Sequence, residues 1–183
     1  MDRDRVAGDK PAAVQISPIT LVLGGARSGK SRFAERLVEA AGGGVYLATG
    51  EARDSEMEAR IAEHRARRGA GWATVEEPIE LAAALREAAG AGRPILVDCL
   101  TLWLSNLMLA EIDIETKTAE LLTTMPQLAT PVIFIANEVG LSIVPDNRLA
   151  RRFRDEAGIL NQRIAEAASR VYFIAAGLPL TLK

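Results

Sequence analysis

The chain carries the apolar run Ile19-Thr20-Leu21-Val22-Leu23, followed at once by Gly24-Gly25-Ala26-Arg27-Ser28-Gly29-Lys30-Ser31. The apolar run is typical of a buried β-strand, and the second stretch matches the pattern G-x-x-x-x-G-K-S in full. Strong helix formers then extend from residue 31 to residue 41, where successive glycines end the helix. A strand, this loop and a helix in that order predict a phosphate-binding P-loop; the alternative is a glycine-rich turn that binds nothing.

The chemistry of a P-loop assigns roles to its residues. Its glycines let the backbone curl so that successive N–H groups face a phosphate chain, and the helix N-terminus adds partial positive charge. We expect Lys30 to bridge the β- and γ-phosphates and to be catalytic, and the Ser31 hydroxyl to ligate Mg²⁺. Nucleotide binding is therefore predicted for Gly24, Gly25, Ala26, Arg27, Ser28, Gly29, Lys30 and Ser31.

Apolar runs and helix-forming segments alternate along the rest of the chain. Strands are predicted at residues 45–48, 72–76, 94–98, 131–136 and 171–175, with an edge strand at 178–182, and helices at 54–68, 78–90, 100–110, 116–125 and 147–169. Continuous apolar strands are expected when both faces of a parallel sheet are covered. The predicted fold is α/β: a RecA-like P-loop NTPase, built as a three-layer sandwich around a mostly parallel sheet. One domain spans residues 19–183, after a flexible extension at residues 1–18.

Composition excludes several classes of protein. Net charge is −2 and aromatic residues make up 4% of the 183, which argues against nucleic-acid binding by bulk charge or by base stacking. The longest apolar runs fall short of the roughly 20 residues that cross a bilayer. The single cysteine, Cys99, cannot form an internal disulfide, which fits a reducing compartment. We predict a cytoplasmic protein with no membrane span and no nucleic-acid partner.

A carboxylate ends one of the buried strands. Asp98 follows Ile95-Leu96-Val97, which is the Walker-B arrangement, and a side chain at the carboxyl end of a neighbouring parallel strand can reach Mg²⁺ or its waters. The alternative is that Asp98 caps the helix that follows. The P-loop favours the first interpretation, so Asp98 is predicted as a metal ligand with Ser31.

His64 is the only histidine of the chain. In the predicted helix at residues 54–68, Arg60 precedes it by four positions and Arg67 and Arg68 follow it by three and four, which places them on one face. Neighbouring cations disfavour imidazolium and keep the ring in its neutral, nucleophilic form. We therefore consider His64 as a nucleophile beside a phosphate clamp; the alternative is a solvated helix face with an incidental histidine.

These strings, with several others, are the basis of a resemblance that covers the chain from about residue 19 to its C-terminus. The chain resembles the bifunctional adenosylcobinamide kinase / adenosylcobinamide-phosphate guanylyltransferase family of cobalamin biosynthesis. The similar strings are Gly24–Ser31, Ala48-Thr49-Gly50, Glu56-Met57, Arg60-Ile61, His64-Arg65, Asp98-Cys99-Leu100-Thr101, Asn137-Glu138-Val139-Gly140, Ile143-Val144-Pro145, Leu149-Ala150-Arg151-Arg152-Phe153-Arg154-Asp155 and Asn161-Gln162. Ser142 departs from the glycine expected there.

The resemblance implies two reactions. ATP or GTP phosphorylates the aminopropanol hydroxyl of adenosylcobinamide, and GTP then transfers GMP to adenosylcobinamide phosphate through a guanylylated histidine, releasing pyrophosphate. His64 falls on the nucleophile position. Beyond the P-loop, the implied nucleotide contacts are Ala48, Thr49, Gly50, Arg65, Ala66, Arg67, Arg68, Glu76 and Asp98.

The same resemblance implies a cytoplasmic homotrimer. The apolar segment Leu100–Leu109, with Trp103 and Leu107, either contributes to a subunit contact or packs in the core. Two other functions stay open: a P-loop small-metabolite kinase without the histidine step, and a regulatory nucleotide-binding module. A regulatory GTPase is disfavoured because Asn137–Gly140, the nearest string, lacks the Asn-Lys-x-Asp pattern.

Overall fold

A seven-stranded sheet forms the centre of the molecule. The computed structural model describes residues 16–51 and 69–183. The strand order is β3-β2-β4-β5-β1-β6-β7, and every pairing is parallel except the antiparallel β6–β7 pair. The strands are β1 (Ile19–Gly24), β2 (Gly44–Ala48), β3 (Trp72–Glu76), β4 (Ile95–Asp98), β5 (Val132–Asn137), β6 (Arg170–Ala175) and β7 (Leu178–Thr181).

The helices of the described residues follow the predicted alternation with strands. They are α1 (Lys30–Ala40), α2 (Leu81–Ala89), α3 (Leu100–Leu109), α4 (Ile114–Thr124) and α5 (Arg148–Ala167), and a 3₁₀ turn at Met125–Gln127 extends α4. The prediction of an α/β fold with a mostly parallel sheet is confirmed. The predicted helix at 54–68 lies outside the described residues, as do residues 1–15. Ile16, the first described residue, is half-buried against the sheet.

The two faces of the sheet carry separate cores because side chains alternate along each strand. In β5, Phe134 and Ala136 face the core that α2, α3, α4 and α5 cover, which we call the large face. Ile133 and Ile135 face the opposite core, which Ala34 and Val38 of α1 cover and which we call the small face. The molecule is therefore the predicted three-layer sandwich, with four of the described helices on one face and α1 on the other.

Helix α3 is buried within the large face. Trp103 is 1% exposed and Leu107 is fully buried, and the Trp103 indole donates a hydrogen bond of 2.8 Å to the Ile79 carbonyl. These side chains cannot reach another subunit, so the interpretation of α3 as a contact through Trp103 and Leu107 is wrong. A helix with apolar residues on most sides is expected to be largely buried, and in α3 only Leu109, at its end, is well exposed, at 56%.

The parallel register brings the functional strands to a common edge. Gly24 at the end of β1 lies beside Asn137 at the end of β5, and Asp98 at the end of β4 lies beside Ala48 at the end of β2. Ligands of open α/β sheets bind outside the carboxyl ends of the strands. The fold thus places the P-loop and Asp98 on either side of the end of β5.

Candidate nucleotide-binding site

The P-loop adopts a backbone that requires glycine at two positions. A Cβ on Gly24 would lie 2.6 Å from Ser28 Oγ and 2.7 Å from the Ile174 carbonyl oxygen, which leaves no room for a side chain. Gly29 has a φ of +94°, in the left-handed region that favours glycine. The Phe33 N–H donates to the Gly29 carbonyl at 3.0 Å, so α1 begins directly on the loop. The predicted strand–loop–helix geometry is present.

The turn between β6 and β7 supports the P-loop from the other side. The Gly177 N–H donates to the Ser28 carbonyl at 2.8 Å, and a Cβ on Gly29 would lie 3.2 Å from the Gly177 Cα. The turn backbone is left-handed at Ala176 and Gly177. Sequence reasoning missed this contact because residues so far apart carry no local signal of their proximity.

Lys30 lies at the first position of α1 and is 9% exposed. Its ammonium donates a hydrogen bond of 3.1 Å to the Gly25 carbonyl within the loop. Burial lowers the pKa of Lys30, and the neighbouring Cys99 and Asp98 partly oppose that shift. A cation in such a shielded position interacts with phosphate more strongly than one in bulk water. The arrangement fits the predicted phosphate contact.

The Asp98 carboxylate accepts a hydrogen bond from a side chain of the neighbouring strand β2. The Tyr46 hydroxyl donates to Asp98 Oδ2 at 2.9 Å, and Asp98 itself is half-buried. The N-cap of α3 is Cys99, and no side chain caps the helix there. The alternative that Asp98 serves as the cap of α3 is therefore wrong. The peptide bond between Asp98 and Cys99 is cis.

Thr49 fastens the end of β2 to the end of β4. Its hydroxyl donates to the Cys99 carbonyl at 2.7 Å and accepts from the Cys99 N–H at 2.8 Å, while its own N–H donates to the Asp98 carbonyl at 3.2 Å. The buried Asn106 amide of α3 donates to the Thr49 carbonyl at 2.7 Å. Every polar group of Thr49 is thus engaged within the protein, and its bonds hold the backbone at Asp98 and Cys99. The sequence signal of Asn106 is an amide side chain within a mostly apolar helix.

Cys99 is buried beneath this arrangement as a free thiol. Burial, followed by the charge of Asp98, raises the pKa of Cys99 to about 11. A thiol that stays protonated at neutral pH is a poor nucleophile and a poor metal ligand. Cys99 therefore has a packing role at this edge of the sheet.

The end of β5 is tied to the P-loop as well. The Asn137 N–H donates to the Thr101 hydroxyl at 2.7 Å, and the Asn161 amide donates to the Asn137 carbonyl at 3.3 Å. The next N–H, that of Glu138, donates to the Gly24 carbonyl at 3.1 Å. Buried side chains of α3 and α5 thus hold the strand that separates the P-loop from Asp98.

Some of the remaining predicted nucleotide contacts lie in the described parts of the chain, and others lie outside them. Ser31 is half-buried in the first turn of α1, Glu76 ends the edge strand β3 in register with Ala48, and Gly50 follows Thr49 at the carboxyl edge. The catalytic candidate His64 and the contacts Arg65, Ala66, Arg67 and Arg68 lie outside the described residues, as does Arg60. The structure thus brings together the P-loop, the end of β2, Glu76 and Asp98.

The oxygen donors of this edge suit a hard cation. The Ser31 hydroxyl and the Asp98 carboxylate are ligands of the type that Mg²⁺ takes, with phosphate and water completing its shell. Within residues 16–51 and 69–183, no group of three or more His, Cys, Asp and Glu side chains could hold a metal ion. The residues present therefore fit a metal held chiefly by substrate phosphates and by one or two protein oxygens.

The sequence profile of the family described as cobinamide kinase / cobinamide phosphate guanyltransferase matches residues 20–182. The chain belongs to this family. Its members combine a kinase and a guanylyltransferase activity in adenosylcobalamin biosynthesis, and the bifunctional assignment that the resemblance implied is confirmed.

Two relatives support the family assignment along nearly their whole length. The bifunctional adenosylcobalamin biosynthesis protein CobP of Pseudomonas aeruginosa is 55% identical over 166 residues, covering 89% of this chain and 96% of the relative. The bifunctional adenosylcobalamin biosynthesis protein CobU of Salmonella typhimurium is 38% identical over 178 residues, covering 89% of this chain and 98% of the relative.

A solved structure shows the same fold at low sequence identity. The flagellar accessory protein FlaH of Methanocaldococcus jannaschii is similar with a TM-score of 0.54 at 12% identity, covering 92% of this chain and 79% of that one. This likeness supports the α/β fold with a mostly parallel sheet. Within the described parts of this cobinamide kinase / guanyltransferase family member, no helix is both long and apolar enough to cross a bilayer.

Proposed function

We propose that nucleotide phosphates bind across Gly24–Ser31 at the carboxyl edge of the sheet, and that this edge performs the two reactions in the way the sequence predicts. The observation that carries the proposal is the grouping of Lys30, Ser31 and Asp98 around the ends of β1 and β4. These three side chains supply a shielded cation, a hydroxyl and a carboxylate, which are the groups that phosphoryl transfer requires.

In the kinase step, the aminopropanol hydroxyl oxygen of adenosylcobinamide bonds to the γ-phosphorus of ATP or GTP. The bond from that phosphorus to the β,γ-bridging oxygen breaks, the hydroxyl proton passes to solvent, and a nucleoside diphosphate leaves. Lys30 contacts the β- and γ-phosphates and stabilises the charge that develops on them. The loop N–H groups hold the phosphate chain in line with the incoming hydroxyl.

Ser31 and Asp98 would hold Mg²⁺ at this edge. When bound, Mg²⁺ supplies charge neutralisation at the phosphate oxygens. The chain's own residues provide the rest: Tyr46 and Thr49 hold Asp98 in place, and the start of α1 holds Ser31 beside the loop.

In the guanylyltransferase step, a neutral ring nitrogen of His64 attacks the α-phosphorus of GTP, and pyrophosphate leaves. A phosphate oxygen of adenosylcobinamide phosphate then attacks the same phosphorus and displaces the histidine. The support for His64 in this step is its match to the nucleophile position that the family resemblance implies, with arginines at helical spacing around it in the sequence.

Labelling with GTP tests the histidine step. The protein is incubated with α-labelled or γ-labelled GTP and then denatured. We expect label from α-labelled GTP only, stable in base and lost in acid as a phosphoramidate should be. His64→Ala should abolish the label and the GMP transfer while the kinase step continues, because that transfer needs no histidine intermediate.

A variant at an exposed position serves as the control for the labelling experiment. Arg152→Ala, an exposed change on α5, should keep the label. A His64→Ala protein that still forms the adduct or transfers GMP at the normal rate would overturn the role of His64, and would favour the metabolite kinase.

We propose further that the protein is a cytoplasmic homotrimer, as the resemblance implies. The support from the described residues is a set of exposed apolar side chains away from α3: Leu141, Ile143, Val144, Leu178, Leu180 and Leu182. The buried free thiol of Cys99 is compatible with a reducing compartment. Light scattering that gives a monomer at micromolar concentration would reject the trimer.

A further inference from the structure

Tyr46 is a buried tyrosine in the core of the small face. It lies in β2, is 5% exposed, and packs with Val22, Val38 and Leu96. Its ring meets Trp72 edge-on, with ring centroids 6.3 Å apart. Packing of this kind needs an aromatic ring but no hydroxyl, so the phenol oxygen calls for a separate explanation.

The Tyr46 hydroxyl points along the sheet toward its functional edge. Tyr46 is paired with Leu96, and its hydroxyl reaches Asp98, two residues further along β4, at 2.9 Å. The strand periodicity puts Leu96 and Asp98 on the same face, the one that α1 and Lys30 cover. The hydrogen bond therefore acts on a carboxylate at the nucleotide site, from within the core.

Thr49, the residue directly after β2, holds the main chain of Asp98. The Thr49 N–H donates to the Asp98 carbonyl at 3.2 Å, and the Thr49 hydroxyl bonds both the N–H and the carbonyl of Cys99. Tyr46 in β2 and Thr49 directly after it thus bond the side chain and the backbone of Asp98. A hydrogen bond to a charged group in such a setting is stronger than one between neutral groups.

We propose that Tyr46 is a positioning residue for Asp98: its hydroxyl engages Oδ2, so that the carboxylate is held in one rotamer and presents Oδ1 to the nucleotide site. This inference rests on the proposed metal role of Asp98. It goes beyond that role by assigning a task to a side chain that neither the P-loop nor the strand-ending carboxylate pattern includes. The alternative is a hydrogen bond that stabilises the sheet and has no effect on the site.

Tyr46→Phe separates these interpretations because it removes one oxygen and keeps the ring that packs on Trp72. The chain offers a matched control in Tyr172, its only other tyrosine, whose ring packs on Phe33 at 5.0 Å on the same face of the sheet. Mn²⁺ binding is measured by electron paramagnetic resonance in the presence of a non-hydrolysable GTP analogue. Kinase kcat and KM are measured beside it.

We expect Tyr46→Phe to weaken Mn²⁺ binding and to lower kcat, each by roughly tenfold, the effect of losing a hydrogen bond to a charged group. The KM for nucleotide should change by less than about twofold, because the phosphate contacts of the loop are intact. Tyr172→Phe should leave both quantities as in the wild type. In an Asp98→Asn background, Tyr46→Phe should add little, because its effect passes through Asp98.

The outcomes distinguish the inference from the function on which it rests. If Asp98→Asn weakens Mn²⁺ binding while Tyr46→Phe only lowers the melting temperature, the positioning role is overturned and the metal role stands. If neither change affects Mn²⁺ binding, the metal role of Asp98 fails and the inference fails with it. Additive effects of the two changes on kcat would also overturn the inference.

Discussion

The two faces of the sheet contain different kinds of buried side chain. On the large face, four helices cover a broad apolar core, and buried polar groups such as Asn106 and Asn161 are uncharged amides and hydroxyls. On the small face, α1 covers a smaller core, and this helix carries both buried side chains of the Lys, Arg, Asp and Glu types among the described residues, Lys30 and Glu35. Buried charge is costly, and folds tolerate it where binding or catalysis uses it.

This difference suggests that the two faces of the sheet contribute differently to stability and to the nucleotide site. The large face provides stability and also holds the strand ends in place through Asn106, Thr101 and Asn161. The small face carries the side chains that we propose act on nucleotide, Lys30 and Asp98, at the carboxyl edge. Changes on the large face should therefore act on unfolding, and changes on the small-face edge should act on turnover.

The largest effect on stability is expected for Leu104→Ala, a fully buried change on the large face. Truncation of a buried leucine leaves a cavity and should cost about 2–5 kcal/mol in the free energy of unfolding. The kinase kcat of the protein that remains folded should stay near the wild-type value. Chemical denaturation and single-temperature kinetics measure the two quantities. A large loss of kcat with unchanged stability would contradict the claim that changes on the large face act on unfolding.

For Lys30→Ala, at the small-face edge, we expect the opposite result: a loss of turnover with little loss of stability. Loss of a charge-assisted phosphate contact should cost roughly 2–4 kcal/mol in the transition state, or about 30- to 1000-fold in rate. The melting temperature should stay near that of the wild type, because Lys30 bonds only the Gly25 carbonyl of its own loop among the side-chain hydrogen bonds of the described residues. Near-normal turnover in the folded variant would reject the phosphate role of Lys30.

The smallest effect concerns Cys99, whose rate of alkylation reports how accessible the small-face core is to solvent. With its pKa raised to about 11, the thiol stays protonated at pH 8, below that value. Alkylation by iodoacetamide at pH 8 should be at least about a hundredfold slower in the native protein than in denaturant, where the thiolate is populated. Mass spectrometry over a time course measures both rates, and equal rates would show that the site beside Asp98 is open to solvent.

The sequence predicted those parts of the molecule that depend on local pattern. The P-loop, the apolar strands and Asp98 at a strand end were recognisable because each is encoded by neighbouring residues. The bonds from Tyr46 to Asp98, from Thr49 to Cys99 and from Gly177 to Ser28 were not predicted, because each joins residues distant in sequence. The subunit role of Trp103 was wrong, since apolar character alone does not say which layer covers a helix. The role of His64 stays a prediction.

Hydrogen–deuterium exchange with and without saturating Mg²⁺ and GTP tests most directly whether nucleotide binds at the carboxyl edge. We expect slowed exchange in peptides that contain residues 24–31 and 98–101, where loop N–H groups would meet phosphate and bound ligand would shield the end of β4 from solvent. Peptides from α2 and α4, on the large face, should exchange at the same rate in both states. Slowed exchange confined to α2 and α4, with residues 24–31 unchanged, would contradict the account.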